Sequence, residues 1–570
     1  MRIRHLSVRN FRGIEQLDWA VPDTGLLCLI GRGDSTKSSV LDAIRFALFP
    51  AWNLSVDTFD FFQGDTRRTI RIVATIGALP ETFKSDAKYG NWLRGWDKQA
   101  ETLQDEPGDG LEEVLSVALT IESSLEPKWS VVRDDREEDK TFSLSDRVDT
   151  RTTFIGAYAD RHLTWGKNTA LSRLTEAESI AESLATAASA AKDALDSKRA
   201  TDLTGFDEAA TIAEGIAKRY GVPVSEEGSY RAHLDTTAVN IQAGGLSLHD
   251  GNIPVRTLGL GSRRMLTLGI EQHALNEPHI TLIDEVEIGL EPHRITRLLR
   301  NIESDDCGQY FLTTHSPAVL RELTVDQLFV AQSIDHTTKV VPAAQPGFTD
   351  TIQGKIRAGA EAFLAANVIV CEGATEVGLC RGLETYWIGQ GIDSFSYSGT
   401  ALFDAHSGSQ IKSSAEAFRR LGYHVAAIGD SDSEENFSQS DAQTLEELGV
   451  HVIRWDGGLT TEEYFFRHLP WDKVLASVEL AKRLRGDGVI DQVKSHIDDI
   501  DDNIASWTDS LELRAAIGKA ALGGGQRRNA WFKRLSRAQT WANEISDAFN
   551  IPGSVIAEKI TALKTWVCGG

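Results

Sequence analysis

Two sets of residues in this chain have types and spacings that could do chemistry. The first is the loop Gly31-Arg-Gly33-Asp34-Ser35-Thr36-Lys37-Ser38-Ser39, which follows the apolar run Leu26–Ile30 and opens a helical pattern. Backbone N–H groups of such a loop, with the helix N-terminus at Ser38 and Ser39, cradle β- and γ-phosphates; Lys37 supplies a point charge and the Ser38 hydroxyl a ligand for Mg2+. Thr36 stands where this loop usually has glycine, which takes positive φ freely, so an altered loop geometry or nucleotide affinity is expected. Further on, His279-Ile-Thr-Leu-Ile-Asp284-Glu285 is an apolar strand ending in two acids. Asp284 would hold Mg2+ through water, and Glu285 would polarise the water that attacks the nucleotide. The second set is all carboxylate: Glu372 and Glu376 follow the run Val368–Cys371, and Asp430 and Asp432 follow His424–Gly429. Carboxylates gathered at strand ends repel one another unless cations neutralise them, so the set implies Mg2+ or Mn2+. Hard oxygen donors without Cys or His exclude a zinc preference.

These groups work only if strands and helices deliver them to common edges. Residues 1–165 and 240–345 alternate short apolar strands with polar turns and predict one α/β domain around the phosphate loop. Between them, 166–239 carries Ala/Glu/Ser/Lys-rich text such as EAESIAESLATAASAAKDALDSKRA, which predicts a helical insertion. A connector over 346–366 leads to 367–470. There the strands Val368–Cys371, Phe395–Ser398, His424–Gly429 and His451–Trp455 alternate with helical patterns, which predicts a parallel sheet covered by helices. Residues 471–570 read as a helical region.

Several local texts resemble known families. Leu258-Gly-Leu-Gly-Ser262-Arg-Arg resembles the ABC-type ATPase signature, Gly289-Leu-Glu-Pro292 the D-loop, and Phe311-Leu-Thr-Thr-His315 the strand and histidine of the switch. Val8-Arg-Asn-Phe11-Arg12-Gly13 resembles the start of RecF, SMC and OLD ATPases. The resemblance implies an ABC-type P-loop ATPase in which Ser262 and His315 join the ATP site. Because the signature acts in trans in those families, it also implies a homodimer or higher homo-oligomer, with the insertion as a dimerisation element. Glu372-Gly-Ala-Thr-Glu376 with Asp430-Ser-Asp432 resembles the TOPRIM domain of topoisomerases, primases and OLD nucleases. The whole order is similar to the OLD-family ATP-dependent endonucleases, and within them to the class holding the nuclease subunit of the Gabija anti-phage system. That likeness implies an ATP-regulated endonuclease that cleaves or nicks DNA in anti-phage defence, with a separate helicase-like or effector partner. Glu372, Glu376, Asp430 and Asp432 would be ligands and acid–base groups, Glu462 or Glu463 a further metal ligand, and Lys533 a late catalytic lysine.

At 570 residues the chain outgrows a single core and should fold as several modules. Its formal charge of −24 excludes a protein that coats nucleic acid broadly, so such contacts must be local. Candidate patches are Arg67, Arg68 and Arg71, and the run Arg527, Arg528, Lys533, Arg534 and Arg537. The five cysteines form no metal-ligand spacing and no disulfide framework. No apolar run is long enough to span a bilayer, and the N-terminus reads as a strand rather than a signal peptide, so a cytoplasmic location is expected. Two other readings fit the same residues: an ATP-dependent sensor or scaffold holding a partner effector, and a nuclease acting on RNA.

Overall fold

The computed structural model describes residues 1–50, 53–136, 138–156, 163–165, 169, 171, 174–175, 207–225, 230–234, 246–274, 278–346, 349–526 and 528–568. Most of the 166–239 insertion and Arg527 therefore lie outside the described residues. The chain divides into two compact units, Met1–Ile30 with Asp34–Pro342, and Gly31–Gly33 with Ala343–Gly570.

In the first unit the run Leu26–Ile30 is buried at every position. Continuous apolar text of this kind suits a strand covered on both faces, and it pairs in parallel with Gly308–Thr313 on one side and Leu328–Ile334 on the other. His279–Ile283 lies beyond Gly308–Thr313, and Thr152–Ile155 beyond that, again in parallel. Two inter-strand spacings, about 10 Å, thus separate the ends of Leu26–Ile30 and His279–Ile283. The sheet continues into antiparallel strands, with Arg2–Phe11 between Ile14–Ala20 and Ile70–Gly77, and Glu112–Ile121 beyond. There the text alternates apolar and polar residues along Arg2–Phe11, as burial on one face requires. From the insertion the structure describes the helix Asp207–Tyr220 and a strand, Tyr230–Leu234, paired with Leu246–Asp250. A strand therefore falls within a segment expected to be helical.

The second unit is built on a parallel sheet in the order Thr400–Asp404, Asn367–Cys371, His424–Gly429, His451–Arg454. The expected strand over Phe395–Ser398 is instead a turn, and the strand starts at Thr400. The alternation in Phe-Ser-Tyr-Ser misled: Phe395 is a single buried anchor against Trp387, with ring centroids 5.2 Å apart, while Tyr397 is 78% exposed. Gly399, at φ 64°, makes the reversal that a β-branched residue would resist. Residues 471–570 do not stand apart. Trp531, Phe532, Trp541 and Ile560 share one apolar cluster with Ile369, Ile428 and Phe465 of the sheet and its helices.

Two glycines bring that C-terminal segment close. A Cβ on Gly378 would meet Ala538 Cβ at 2.4 Å and the Leu535 carbonyl at 2.6 Å, and one on Gly382 would meet Ala542 Cβ at 2.2 Å. The helices Ala374–Gly389 and Leu535–Glu544 therefore cross nearly backbone to backbone. Gly378→Val is expected to destabilise the chain by about 3 kcal/mol, the upper range of overpacking penalties. A denaturant midpoint equal to wild type would show that the helices part freely.

Candidate functional site

The phosphate loop begins where Leu26–Ile30 ends. Gly31 has φ 132° and Gly33 faces open space, while Asp34 and Thr36 both sit in the left-handed region, at φ 57° and 67°. Thr36 keeps the backbone conformation that glycine usually supplies, at a strain of about 1–2 kcal/mol. Its hydroxyl donates to the Ser35 carbonyl (2.5 Å) and lies 3.0 Å from Thr338 Oγ1, and its methyl closes on Gly13. These contacts hold the loop in place. The helix Lys37–Ala47 follows, with Ser38 exposed and Ser39 half-buried at its start.

Lys37 is buried, and its ammonium donates to Ser35 Oγ (3.2 Å). Burial pushes its pKa down to about 8, against the opposing pull of Asp284, Asp34 and Glu285. A bound phosphate would pull it back up, so nucleotide binding takes up a proton wherever the free lysine is neutral. The sign follows: ATP affinity is expected to be level below about pH 8 and to fall about tenfold per unit above it. Titration calorimetry in buffers of different ionisation enthalpy reads both effects.

Across the gap, Ser38 Oγ donates to Asp284 Oδ1 (3.0 Å), and Thr313 Oγ1 donates to the same oxygen (2.6 Å) while accepting the Glu285 N–H (2.8 Å). Asp284 and Ser38 thus share one locality, a fit for hard-oxygen coordination of Mg2+. Glu285 itself has φ 47°. The turn is held by Arg264, a buried residue of the helix Leu260–Ala274, which donates to the carbonyls of Asp284 (2.8 Å), Glu285 (2.8 Å) and Ile288 (3.2 Å). Ser262 on that helix accepts from Arg294 (3.0 Å). A Cβ on Gly261 would meet the Gly289 carbonyl at 2.0 Å, so the helix start and the following loop touch through backbone. His315 has an exposed side chain, and its N–H donates to Glu287 Oε1 (2.7 Å), whose other oxygen takes the Thr314 hydroxyl (2.7 Å). Sequence reasoning placed Arg264 and Thr313 in motifs without foreseeing that they hold the acid turn, and it missed Glu287. Glu287, two residues past the acid pair, was the one with a local signal.

In the second unit the carboxyl ends of the sheet open into a cavity of about 280 Å3. Glu372, Glu376, Asp404, Asp430, Glu462 and Lys533 all line it. Glu372 Oε2 accepts the Asp430 N–H (2.8 Å), which ties two neighbouring strand ends together. Glu376 Oε2 accepts the Gly373 N–H (2.9 Å). Thr461 Oγ1 lies 2.7 Å from both Glu376 Oε1 and Asp430 Oδ1, and accepts from Trp455 Nε1 (2.6 Å). A hydroxyl has one proton to give, so a second proton or a cation must sit on one of the two carboxyls. Burial, then the charges of Glu372 and Glu462, push Glu376 up to about 8. Burial followed by the same neighbouring acids, Glu376 first, raises Asp430 well above the usual carboxylate range. Glu372 and Glu462 also rise, burial leading, with Lys533 opposing.

Asp432 is exposed and does not line the cavity, although its charge reaches Glu372. Glu462 is the acid the helix Thr461–His468 places in the cluster. Glu463, expected as a ligand, turns to the helix start, where it accepts from the Thr460 N–H and hydroxyl at 3.2 Å each. Asp404 was missed; it closes its strand just as Glu372 and Asp430 follow theirs. Among the described residues no three His, Cys, Asp or Glu side chains already converge as a metal cage. Mg2+ needs only one or two carboxylates beside water, and crowded buried oxygens of this kind suit it.

Residues 26–321, more than half of the chain, match the family described as "AAA domain, putative AbiEii toxin, Type IV TA system". No curated protein matches. Similar solved structures include the SMC head bound to the C-winged helix domain of ScpA, with 15% identity and a TM-score of 0.38 over 60% of this chain and 98% of that one. The SMC head with an extended coiled coil bound to the C-terminal domain of ScpA, derived from Pyrococcus furiosus, gives 13% and 0.38 over 60% and 95%. The SMC head domain from Thermotoga maritima gives 12% and 0.30 over 60% and 99%. Among the described residues no helix is long and apolar enough to cross a membrane. On the strength of the family match, this chain belongs to that AAA-domain family and carries an ATPase domain of that kind over residues 26–321.

Proposed function

We propose that the chain is an ATP-regulated, divalent-metal-dependent endonuclease, with an ABC-type ATPase in its first unit and a TOPRIM-like nuclease centre in its second. The observation that carries this reading is the cavity itself: Glu372, Glu376, Asp430 and Glu462 crowd there with Lys533 among them. Four acids so crowded, Glu376 and Glu462 buried and Glu372 and Asp430 half-buried, cannot all ionise unaided. Mg2+ or Mn2+ held by Glu372, Asp430 and their neighbours would activate water and stabilise the leaving oxygen of a phosphodiester. Glu376, poised at about 8, can hold or release a proton at neutral pH. Lys533 offers a positive charge to a phosphate oxygen.

In the ATPase, Lys37 binds the phosphates, Ser38 and Asp284 would hold Mg2+, and Glu285 acts on the attacking water. Ser262 serves the nucleotide of a paired head and His315 that of its own, so the working form is a homodimer or larger. DNA is the favoured substrate, and defence against phage the favoured setting. The family description names a toxin–antitoxin setting, which suits an enzyme that cuts nucleic acid on demand.

The test is incubation of the purified chain with plasmid, linear DNA and transfer RNA, with Mg2+ or Mn2+, with and without ATP, beside Asp430→Ala. Cutting that vanishes with chelator and in the variant supports the reading and gives the sign of ATP control. Transfer RNA cut in place of DNA moves the substrate to RNA. An Asp430→Ala chain that cuts as well as wild type sinks the metal site, and no cutting at all favours a scaffold holding a partner effector.

A further inference from the structure

The wall of the acid cavity carries Leu522, Gly525 and Lys533, and Arg528, Arg534 and Arg537 follow these within four residues of the sequence. Arg528 and Arg534 are exposed, and Arg485 and Arg537 are half-buried. Arg485 closes the helix Trp471–Arg485 and donates to the Arg528 carbonyl (2.6 Å), which brings two distant segments together. Arg534 and Arg537 share the turn that starts the helix Leu535–Glu544, with the Arg537 N–H donating to the Arg534 carbonyl (2.9 Å). On the same helix as Arg485, Lys482 and Arg483 meet Asp487 and Glu544. Arg485 meets a backbone carbonyl instead, and Arg537 Nη1 is buried with no hydrogen-bond partner. Arg537 is lowered by burial first, then by the charges of Arg485 and Arg534, which lie within electrostatic reach of it.

Like charges held together in a chain of net charge −24 need an anion to balance them. The loop between cavity and arginines is also shaped for close approach. Gly523, Gly524 and Gly525 all have positive φ; a Cβ on Gly523 would meet the Ala530 N at 2.3 Å, while Gly524 and Gly525 face open space. A ligand can therefore come near the backbone beside the cavity mouth.

We propose that Arg485, Arg528, Arg534 and Arg537 form a phosphate-binding track that holds the backbone of duplex nucleic acid and leads it into the acid cavity. This rests on the nuclease reading for the cavity. Guanidinium forks fit phosphate oxygens, and the group contains no exposed aromatic ring on which single-stranded bases would stack. Recognition is of backbone, not sequence.

The experiment measures fluorescence anisotropy of the full chain with a short labelled duplex and the matching single strand, in Ca2+ to withhold cleavage, across a salt series. The triple variant Arg485→Ala/Arg534→Ala/Arg537→Ala is expected to lose at least about tenfold in duplex affinity and to lower the salt slope by about 2–3. The corresponding triple lysine variant keeps the charge, so it is expected to retain most of both and controls for folding. Wild-type chain that binds no duplex, a preference for single strand, or a triple alanine variant with wild-type affinity and slope overturns the track. The last result leaves the cleavage reading standing, since that depends on loss of cutting in the Asp430 variant.

Discussion

Asp430→Asn is expected to cut nucleic acid at least about a thousandfold more slowly while making the metal-free chain more stable. The first half follows from geometry. Loss of groups that merely orient metal ligands already costs about 10–100-fold, and Asp430 stands in the cavity itself, tied by its N–H to Glu372 and by its oxygen to Thr461. Asparagine keeps the shape and can still accept from the Thr461 N–H. The second half follows from charge. Glu376 is raised from its unfolded value to about 8, so the folded chain binds a proton that the unfolded chain releases above about pH 4.5. Stability of the metal-free form therefore falls as the pH rises from about 4.5 to 8; Asp430, itself raised well above the usual carboxylate range, adds to that fall, so asparagine removes its share and its repulsion of Glu376 once ionised, on the order of 1 kcal/mol. Thermal melts of both chains in chelator at pH 5 and pH 8 read the effect. Equal melting shifts at the two pH values would mean that the four acids do not feel one another.

Glu285→Gln is expected to bind ATP with near wild-type affinity and to hydrolyse it about 10^2–10^4 times more slowly, the range lost with a positioned general base. Nothing in the phosphate loop changes, and the turn survives because its backbone is held by Arg264 and Thr313 rather than by the Glu285 carboxylate. A nucleotide-binding titration beside a phosphate-release assay separates the two properties. If binding fails together with hydrolysis, Glu285 holds the turn rather than the water. The variant also traps the ATP-bound state, so a cleavage assay with it tells whether occupancy or turnover of the nucleotide governs the second unit.

What the sequence made legible was local. Leu26–Ile30 with its loop, His279–Ile283 with its two acids, and His424–Gly429 each carry strand, turn and chemistry within a dozen residues, and the structure keeps those bounds. The misreadings have physical causes. Glu462 and Glu463 stood as alternatives in the sequence, and Thr460-Thr-Glu-Glu463 is a capping pattern, in which the fourth residue is drawn back to the first, so Glu462 is the one that lines the cavity. Phe395–Ser398 alternates like a strand, but one buried ring is not a face. Lys533 reaches the cavity through the crossing of two helices at Gly378 and Gly382, a contact between segments more than a hundred residues apart that no periodicity announces. Arg264 was read as part of a signature and proved to be the brace of the acid turn.

That brace bears on how the ATPase could be switched. Arg264 grips three carbonyls around Asp284 and Glu285, and Gly261 rests directly on Gly289. The helix Leu260–Ala274 and the turn that carries Glu285 are thus tied together through backbone. A shift at the start of that helix would therefore be passed to the backbone that carries Glu285, because Arg264 and the Gly261–Gly289 contact link the two directly.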